Sequence, residues 1–415
     1  MDEEYPILSV EEALARFLEY FHPFESEHAP ILDALDRVLA ENIVAAYDIP
    51  PHANSAMDGY AVRVEDTAGA RTDAPRRLRV AGELAAGYTR DAPLEPETAI
   101  RIMTGAPIPP GADAVIPFEE CQRMRDGDAI LVTRRYPHHA NVRAAGEDVR
   151  AGETVLAKGA VLRPQEIGML AAMGQTEVTV IRRPRVAILS TGDEVVDASE
   201  PLAPGKIRDA NGYSVAAAVV KYGGVPIRLG IARDRVEELT AKIREGLAQR
   251  ADLFVTSGGV SVGDFDVVKQ VLAAEGEIAF WRVRMKPGKP LAFGTIQGVP
   301  LLGLPGNPVS ALMSFELFGR PALLKMQGKT RFAKPTIEAT LVDEIRRKDD
   351  RRHYVRVRLE ERGGETFAHL TGNQGSGILL SMVRADGIAI LPEELKRVEA
   401  GTRVRVMMLD WTEVR

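Results

Sequence analysis

Hydrophobic positions recur along this chain with three different spacings, and each spacing predicts a different kind of element. Residues 10–21, VEEALARFLEYF, carry apolar side chains three and four positions apart, which predicts an amphipathic helix. Ser9 precedes this helix and Glu12 follows three positions later, so the pair predicts a capping box at its start. Residues 31–43, ILDALDRVLAENI, repeat the helical spacing and predict a second helix.

The spacing changes at about residue 46, where apolar and polar positions begin to alternate. Short strand-like runs, broken by glycine and proline, predict a β-rich domain over 46–139: YAVRV, RLRVAGEL, AIRIM, AVIPFEE and AILVTRR. Residues 140–183 combine turns with one helix-like stretch, 165–174. We expect this segment to join residues 1–45 in a first domain, into which the β-rich domain is inserted.

From residue 184, strand-like runs alternate with helical patterns. This alternation predicts βαβ units and a parallel sheet, so we place an α/β domain at 184–328. Asp234 precedes one helical pattern and Glu237 follows three positions later, which predicts a second capping box. Residues 329–415 return to period-two alternation and predict a small C-terminal β-barrel or sandwich. The predicted fold class is multidomain α/β plus β.

Composition and charge narrow the classes of function. The 415 residues carry a net charge of −6, which argues against a dedicated nucleic-acid binder. The single cysteine, Cys121, excludes an intrachain disulfide and favours a reducing, cytoplasmic setting; it is a poor candidate nucleophile. We expect no membrane partner, because the start MDEEYP lacks signal-peptide features and no apolar run approaches the ~18 residues of a membrane span. No histidine and cysteine cluster indicates zinc.

Three glycine-bearing loops follow strands of the predicted parallel sheet, at 190–194, 256–266 and 304–310. Ligands of such sheets bind beyond the carboxyl ends of the strands, where backbone N–H groups of a following helix bind phosphate-like anions. In the last loop, we expect Asn307 at the N-cap and Pro308 at the first helical position. The predicted anion-binding residues are Ser257, Gly258, Gly259, Ser261, Gly263, Pro305, Gly306, Asn307 and Pro308.

The same domain holds cations and acids whose roles the sequence leaves open. Lys286 and Lys289, in RMKPGKP, are either solvated turn residues or groups that neutralise phosphate. Helix capping is the alternative to a chemical role for the carboxylates near strand ends and helix starts: Glu194, Asp209, Asp234, Asp264 and Asp266. Carboxylates beside an anion-binding loop repel the ligand unless a divalent cation lies between them. Our hypothesis is that Asp264 and Asp266 bind Mg²⁺.

Ordered motifs over nearly the whole chain resemble the molybdopterin molybdenumtransferase family, which includes the MoeA proteins and the E domain of gephyrin. These motifs are NSAMDGYAVR (54–63), RIMTGAPIPPGADAVIPFE (101–119), NVRAAGEDV (141–149), ILSTGDE (188–194), TSGGVSVGDFD (256–266), MKPGKPLAFG (285–294) and LLGLPGNPVSA (301–311). The resemblance implies four subdomains: an elongated helical and partly β domain in two segments, an inserted β domain, an α/β molybdopterin-binding domain and a C-terminal β-barrel.

The resemblance also implies a reaction and further site residues. Members of the family take adenylylated molybdopterin and molybdate, need Mg²⁺ or a similar ion, insert the metal at the dithiolene and release AMP. They form homodimers, with each site between the α/β domain of one subunit and the inserted domain of the other. The implied functional residues are Asp58, Thr104, Asp148, Glu194, Asp234, Lys286 and Lys289, with Arg356 and Ser376 of the barrel near the substrate.

Two other functions are compatible with parts of this pattern. A molybdopterin adenylyltransferase has a similar α/β domain and would release pyrophosphate from ATP, but it would not need the remaining domains. It is also the expected transient partner that supplies the substrate. A non-catalytic scaffold of the gephyrin E-domain type is the other alternative. Many bacterial members have Glu where this chain has Asp264, whose shorter side chain could contact the metal through water.

Overall fold

The structure, a computed structural model, describes residues 7–124, 126–258, 271, 276–347, 349–394 and 396–409, without the side chains of 277–281 and 290. The chain divides into two compact units. The first comprises 1–28, 36–38 and 179–415, and the second comprises 29–35 and 39–178. No helix within the described ranges is long and apolar enough to cross a membrane.

The first unit contains a seven-stranded mixed sheet. Four neighbouring strands run parallel, in the spatial order Val299–Leu304, Leu253–Ser257, Arg185–Thr191 and Val225–Ala232. Two antiparallel strands and a short parallel one extend the sheet beyond Val299–Leu304, namely Pro290–Ile296, Gly276–Val283 and Ile7–Leu8. The predicted parallel core is confirmed. The antiparallel extension follows from the short turn at Gln297 and Gly298, because only antiparallel strands can be joined so closely.

Helices cover this sheet at Val10–Leu18, Ala210–Lys221, Val236–Ala248, Pro308–Ser314 and Arg320–Met326, with a π-helix at Phe315–Gly319. The predicted capping box is confirmed, since the Glu12 amide donates to Ser9 Oγ at 3.2 Å and the Ser9 amide donates to the Glu12 carboxylate at 2.9 Å. Phe17 is fully buried, and its ring centroid lies 4.9 Å from that of Phe293 in the sheet. Burial of such a side chain stabilises the fold by about 1.5–3 kcal/mol.

The π-helix carries a buried ion pair. Lys334 Nζ lies 2.9 Å from the Glu316 carboxylate, and the Tyr222 hydroxyl donates to the same carboxylate at 2.6 Å. Lys334 also donates to the carbonyl of Leu409 at 3.0 Å. Burial lowers the pKa of Lys334, and Glu316 opposes this change. Lys334 lies in the segment that leads into the C-terminal domain and Leu409 follows its last strand, so the pair fastens that domain to the helices.

Five strands close into the predicted C-terminal barrel. Their order around the ring is Arg352–Arg362, Glu365–Leu370, Thr336–Leu341, Arg403–Met408 and Gly387–Leu391, and the last pairs again with the first. The barrel core includes Leu341, Val357, Leu391 and Val406. Shorter elements are the strand pair Ile345–Arg346 with Arg397–Val398 and the helix Leu380–Val383. The strand Met285–Lys286 pairs in parallel with Arg352 and His353, so it extends the barrel sheet.

The second unit is built around a six-stranded sheet in the order Ala114–Pro117, Gly59–Val62, Thr98–Ile102, Arg76–Leu84, Ala129–Val132 and Cys121–Arg123. Only the Arg76–Leu84 and Thr98–Ile102 strands pair in parallel among these described strands. Both faces are buried, one by a cluster that includes Tyr60 and the other by one that includes Ile100. The expected β-rich domain is thereby confirmed in kind, while its boundaries remain predictions.

Smaller elements complete the second unit. Asn54–Ser55 pairs with Val142–Arg143, and Ile43–Val44 pairs with Thr154–Leu156. The helix expected at 165–174 is present as Pro164–Ala172. Two 3₁₀ helices lie at Val64–Thr67 and Phe118–Glu120. Further short strands lie at Ser26–Pro30 and Glu177–Ile181.

Two local predictions are wrong. The helix predicted over 31–43 is absent: residues 31–36 form turns and Ile43 begins a strand, because Asp36 has a φ of 62°, which a right-handed helix cannot contain. Asp234 and Glu237 do not form a capping box. The helix begins at Val236 after Arg235, and Glu238 instead accepts a hydrogen bond of 3.0 Å from the Arg233 amide.

Candidate functional site

The carboxyl ends of three parallel strands meet at one edge of the seven-stranded sheet. Ser190 pairs in register with Ser257, and Ser257 pairs in turn with Leu304. The loops that follow these strands therefore leave the sheet side by side, as the sequence predicts. In open α/β sheets this edge is where ligands bind.

Gly258 brings two of these loops into close contact. Its φ is +91°, and its amide donates to the carbonyl of Leu304 at 3.1 Å. A Cβ atom at Gly258 would lie only 2.6 Å from the carbonyl oxygen of Thr191. A Cβ at Gly306 would lie 3.8 Å from Gly258 Cα, which places the backbones of the two loops next to each other. Glycine is thus required at 258, where the backbones approach most closely.

The third loop leads into a short helix as predicted. Asn307 occupies the N-cap position and Pro308 the first helical position, although the Asn307 side chain makes no capping hydrogen bond. The preceding Pro305 is buried. The amide of Val309 donates to the carbonyl of Ser376 at 3.0 Å. The barrel loop that carries Ser376 therefore lies against the start of this helix.

Arg356 holds that barrel loop in place. It is 1% exposed, and its guanidinium donates to Ser381 Oγ and to the carbonyl of Gly375, each at 3.1 Å. Burial lowers its pKa to about 10. The side chain thus contacts the residue next to Ser376 and supports the loop from its buried side, while its predicted place near the substrate stays a prediction.

The two lysines of the 284–290 loop are exposed. Lys286 Nζ lies 3.4 Å from the carboxylate of Asp349, a barrel residue. Hydrogen bonds from Arg351 and His353 hold the pKa of Asp349 well below its usual range, so this carboxylate is ionised. The Lys289 carbonyl accepts a hydrogen bond of 3.0 Å from the Val283 amide. The loop backbone is therefore fixed while both ammonium groups reach solvent.

Acidic side chains gather after the first of the three strands. Partial burial raises the pKa of Asp234, and the nearby charges of Asp193 and Glu194 raise it further. The Glu194 carboxylate lies over Gly192, where an added Cβ would come within 2.5 Å of Glu194 Oε2. The loop after this strand therefore carries negative charge at the sheet edge.

Asp209 has the structural role that the sequence left open for it. It is the buried N-cap of the helix Ala210–Lys221, and one carboxylate oxygen accepts from the Gly212 amide and from Ser190 Oγ, each at 2.8 Å. The residues just before Asp209, Ile207–Arg208, form a short strand that pairs in parallel with the strand Val195–Val196.

Five predicted site residues lie outside the described residues: Gly259, Ser261, Gly263, Asp264 and Asp266. Apart from Val271, which is helical and buried, the helix expected after them is also outside. Within the part of the chain that the structure describes, no group of three or more His, Cys, Asp or Glu side chains could hold a metal ion. The metal hypothesis for Asp264 and Asp266 thus remains a prediction.

The second unit brings Asp58 and Thr104 together. One oxygen of the Asp58 carboxylate accepts from the Thr104 amide and from its hydroxyl, each at 2.7 Å. These bonds lower the pKa of Asp58. Gly105, at φ +81°, completes the turn. Asp148 is exposed, and its amide donates to the carbonyl of Ile49 at 3.0 Å. This unit therefore presents exposed carboxylates on ordered turns.

Sequence reasoning missed Asn211 at the sheet edge. Its side-chain nitrogen donates to Ser257 Oγ and to the carbonyl of Gly306, each at 2.7 Å. The available signal was its position in the first turn of a helix, two residues after the capping Asp209. Its two partners are distant in sequence, so spacing alone could not reveal them.

Comparisons with known proteins agree along the chain. Family models match it in three consecutive regions: "MoeA N-terminal region (domain I and II)" over 8–174, "Probable molybdopterin binding domain" over 187–325, and "MoeA C-terminal region (domain IV)" over 338–409. The regions follow the order of the fold described above.

Relatives of similar length resemble the chain from end to end. Molybdopterin molybdenumtransferase 2 of Mycobacterium tuberculosis is 38% identical over 91% of this chain and 93% of its own. The Haemophilus influenzae molybdopterin molybdenumtransferase is 36% identical over 96% and 98%. A solved molybdopterin biosynthesis MoeA protein from Pyrococcus horikosii superposes with a TM-score of 0.82 at 34% identity, covering 98% of this chain and all of that one. The chain therefore belongs to the MoeA family of molybdopterin molybdenumtransferases.

Proposed function

We propose that this protein is a transferase that inserts molybdenum from molybdate into adenylylated molybdopterin and releases AMP, in the biosynthesis of the molybdenum cofactor. The observation that carries the proposal is the meeting of the Gly258 and Gly306 backbones at the ligand-binding edge of the sheet. Family membership supports the transfer of molybdenum to molybdopterin, because the relatives are named molybdopterin molybdenumtransferase.

The chemistry of the substrate fits the residues at this edge. Adenylylated molybdopterin carries a pyrophosphate, and we propose that backbone N–H groups of Gly306 and Asn307, with those predicted at Gly259, Ser261 and Gly263, bind its phosphate oxygens. Lys286 and Lys289 supply positive charge for phosphate or molybdate. The reaction breaks the P–O bond that joins AMP to the pterin phosphate, with oxygen from water or molybdate added at phosphorus. Such cleavage needs positioning and charge neutralisation more than a protein nucleophile.

We further propose that the reaction uses Mg²⁺. Burial raises the pKa of Asp234 and the charges of Asp193 and Glu194 raise it further, so this loop places negative charge beside the proposed phosphate site, where Mg²⁺ would offset it. These oxygen donors suit Mg²⁺, which proteins commonly hold through one or two carboxylates together with substrate phosphate. Asp264 and Asp266 remain the proposed ligands. The metal would neutralise part of the negative charge of the pyrophosphate, and the lysines would neutralise the rest.

We propose four domains with the boundaries predicted from the sequence: 1–45 with 140–183, 46–139, 184–328, and 329–415. We also propose a homodimer, in which Asp58, Thr104 and Asp148 of one copy complete the site of the other. The exposed Asp58, fixed by Thr104, supports this because its carboxylate is held ready for a group outside its own turn. A transient contact with the adenylyltransferase would deliver the substrate, and the single Cys121 supports a reducing cytoplasm.

The central test is an AMP assay with the full chain. The protein is incubated with adenylylated molybdopterin and Mg²⁺, with and without molybdate, and AMP is followed by chromatography. We expect AMP release that depends on molybdate. Release of pyrophosphate from ATP and molybdopterin would indicate an adenylyltransferase instead, and the absence of both activities would leave only the scaffold alternative.

A subunit-mixing experiment tests the shared site. Asp58→Ala and Lys289→Ala are each expected to be inactive as pure proteins. Because the proposal places their roles in different subunits of one site, unfolding and refolding the two variants together would restore about a quarter of the wild-type activity, the statistical share of intact sites among all sites. No recovery, with mixed dimers verified by differential tagging, would contradict the shared site.

A further inference from the structure

Asn211 joins two of the three loops at the sheet edge with a single side chain. Its amide nitrogen donates one hydrogen bond to Ser257 Oγ and another to the carbonyl of Gly306, each at 2.7 Å. A carbonyl only accepts, so Gly306 determines which end of the amide carries the nitrogen. Ser257 ends one strand and Gly306 follows the next, and the Asn211 amide therefore sets the separation of their loops.

The position of Asn211 is itself fixed by the third strand. Asp209, at the N-cap, accepts a hydrogen bond of 2.8 Å from Ser190 Oγ, and Ser190 lies in the strand Arg185–Thr191. The same oxygen accepts from the Gly212 amide at 2.8 Å. A Cβ at Gly212 would lie 2.3 Å from the Asp209 carboxylate, so the helix start packs closely against this cap. Asn211 thus connects all three loop-bearing strands.

Several buried polar atoms around Asn211 lack a hydrogen-bond partner among the described residues, which indicates that these residues serve more than the stability of the fold. Thr191 Oγ1, Thr256 Oγ1 and Asn211 Oδ1 are buried, and none has a hydrogen-bond partner among the described residues. A buried polar atom without a partner costs about 1–3 kcal/mol. Natural proteins retain such costs mainly at functional sites. Their gathering beside Ser257 points to a site arranged for a ligand.

We infer that Asn211 is a positioning residue for the phosphate-bearing substrate. It holds the end of the Leu253–Ser257 strand and the Gly306–Asn307 loop at the separation at which the Ser257 hydroxyl and the loop backbone address one ligand. It does not touch the reacting atoms. The inference rests on the proposed function for the identity of that ligand.

Two variants of the full-length protein test the inference. Asn211→Ala removes the connection, and Asn211→Asp keeps the shape but turns an acceptor toward the Gly306 carbonyl. We expect KM for adenylylated molybdopterin to rise about tenfold in both, with kcat and KM for molybdate within about threefold of wild type, because ground-state binding is lost. Ser257→Ala should have a smaller effect in the Asn211→Ala background than alone, since the two residues act through one contact.

Ser214→Ala is the matched control. Ser214 lies one turn along the same helix, and its hydroxyl donates to the Asn211 carbonyl at 3.2 Å. We expect wild-type KM values for this variant. The inference is overturned if both Asn211 variants keep the wild-type KM for adenylylated molybdopterin. It is also overturned if kcat and kcat/KM for both substrates fall together with the melting temperature, which would indicate a structural role.

A binding assay separates this inference from the proposed function. If wild-type protein releases no AMP, the proposed function fails. Binding of inorganic pyrophosphate to wild-type and variant proteins is then compared by calorimetry. Weaker binding by both Asn211 variants, with wild-type binding by Ser214→Ala, would still support the positioning role. Equal affinity in all proteins, or no binding by any of them, would refute it.

Discussion

Replacing Gly258 by alanine tests the close approach of the strand-end loops. The φ of +91° costs a residue with a Cβ about 1–2 kcal/mol. The new Cβ would also lie 2.6 Å from the Thr191 carbonyl oxygen, and relief of such overpacking costs about 1–3 kcal/mol. The two effects sum to about 2–5 kcal/mol of lost unfolding free energy, if the fold does not relax. Urea unfolding followed by circular dichroism measures this loss.

Gly306→Ala is the matched control, because it adds the same methyl group at the neighbouring loop without the strain expected at Gly258. Its φ lies outside the left-handed region, and the nearest atom to an added Cβ is 3.8 Å away, an ordinary contact. We expect a change in unfolding free energy below about 1 kcal/mol. If Gly258→Ala and Gly306→Ala differ by less than about 0.5 kcal/mol, the reasoning from the Thr191 contact is refuted.

Three further outcomes are expected. Lys334→Met should cost about 3–5 kcal/mol of unfolding free energy, because it leaves Glu316 buried without its cation; the double variant with Glu316→Gln should recover part of this, and thermal unfolding would show whether it does. The pKa of Asp234 is raised in the folded protein, so the protonated side chain stabilises the fold at a pH below the pKa of the unfolded chain. That stabilisation is lost as the pH rises through the pKa of the folded protein. Asp234→Asn should therefore raise the melting temperature at pH 7 while AMP release falls, and a lower melting temperature would contradict this. Thr104→Val removes one of two hydrogen bonds to Asp58, so an NMR titration should show a higher Asp58 pKa, and an unchanged value would contradict that bond.

Local signals in the sequence predict well where one segment determines its own structure. The Ser9 and Glu12 capping box forms because both partners lie in one helix turn. Asn307 and Pro308 take their expected positions because proline fixes its own φ. The three strand-end loops share an edge because parallel strands align their carboxyl ends. Periodicity and turn chemistry therefore give most of this fold.

Predictions fail where distant contacts or a single backbone angle decide. Residues 31–43 have helical spacing, but the left-handed Asp36 interrupts it. Asp234 matches a cap by position, yet its charged neighbours Asp193 and Glu194 come from another strand end. Asn211 finds both partners beyond residue 250, so only the fold reveals its contacts. Asp58 accepts its hydrogen bonds from Thr104, 46 positions along the chain, so spacing alone does not pair the two residues.

The pairing of Met285–Lys286 with the barrel strand at Arg352 and His353 limits how the domains can be exchanged in evolution or in the laboratory. Lys286 belongs by backbone to the barrel sheet, while its loop begins and ends in the seven-stranded sheet. A barrel transplanted from a relative would arrive without the strand that extends its own sheet. Chimeras with a junction at residue 329 therefore need residues 284–290 from the same donor. The lysine loop and the barrel have to be exchanged together.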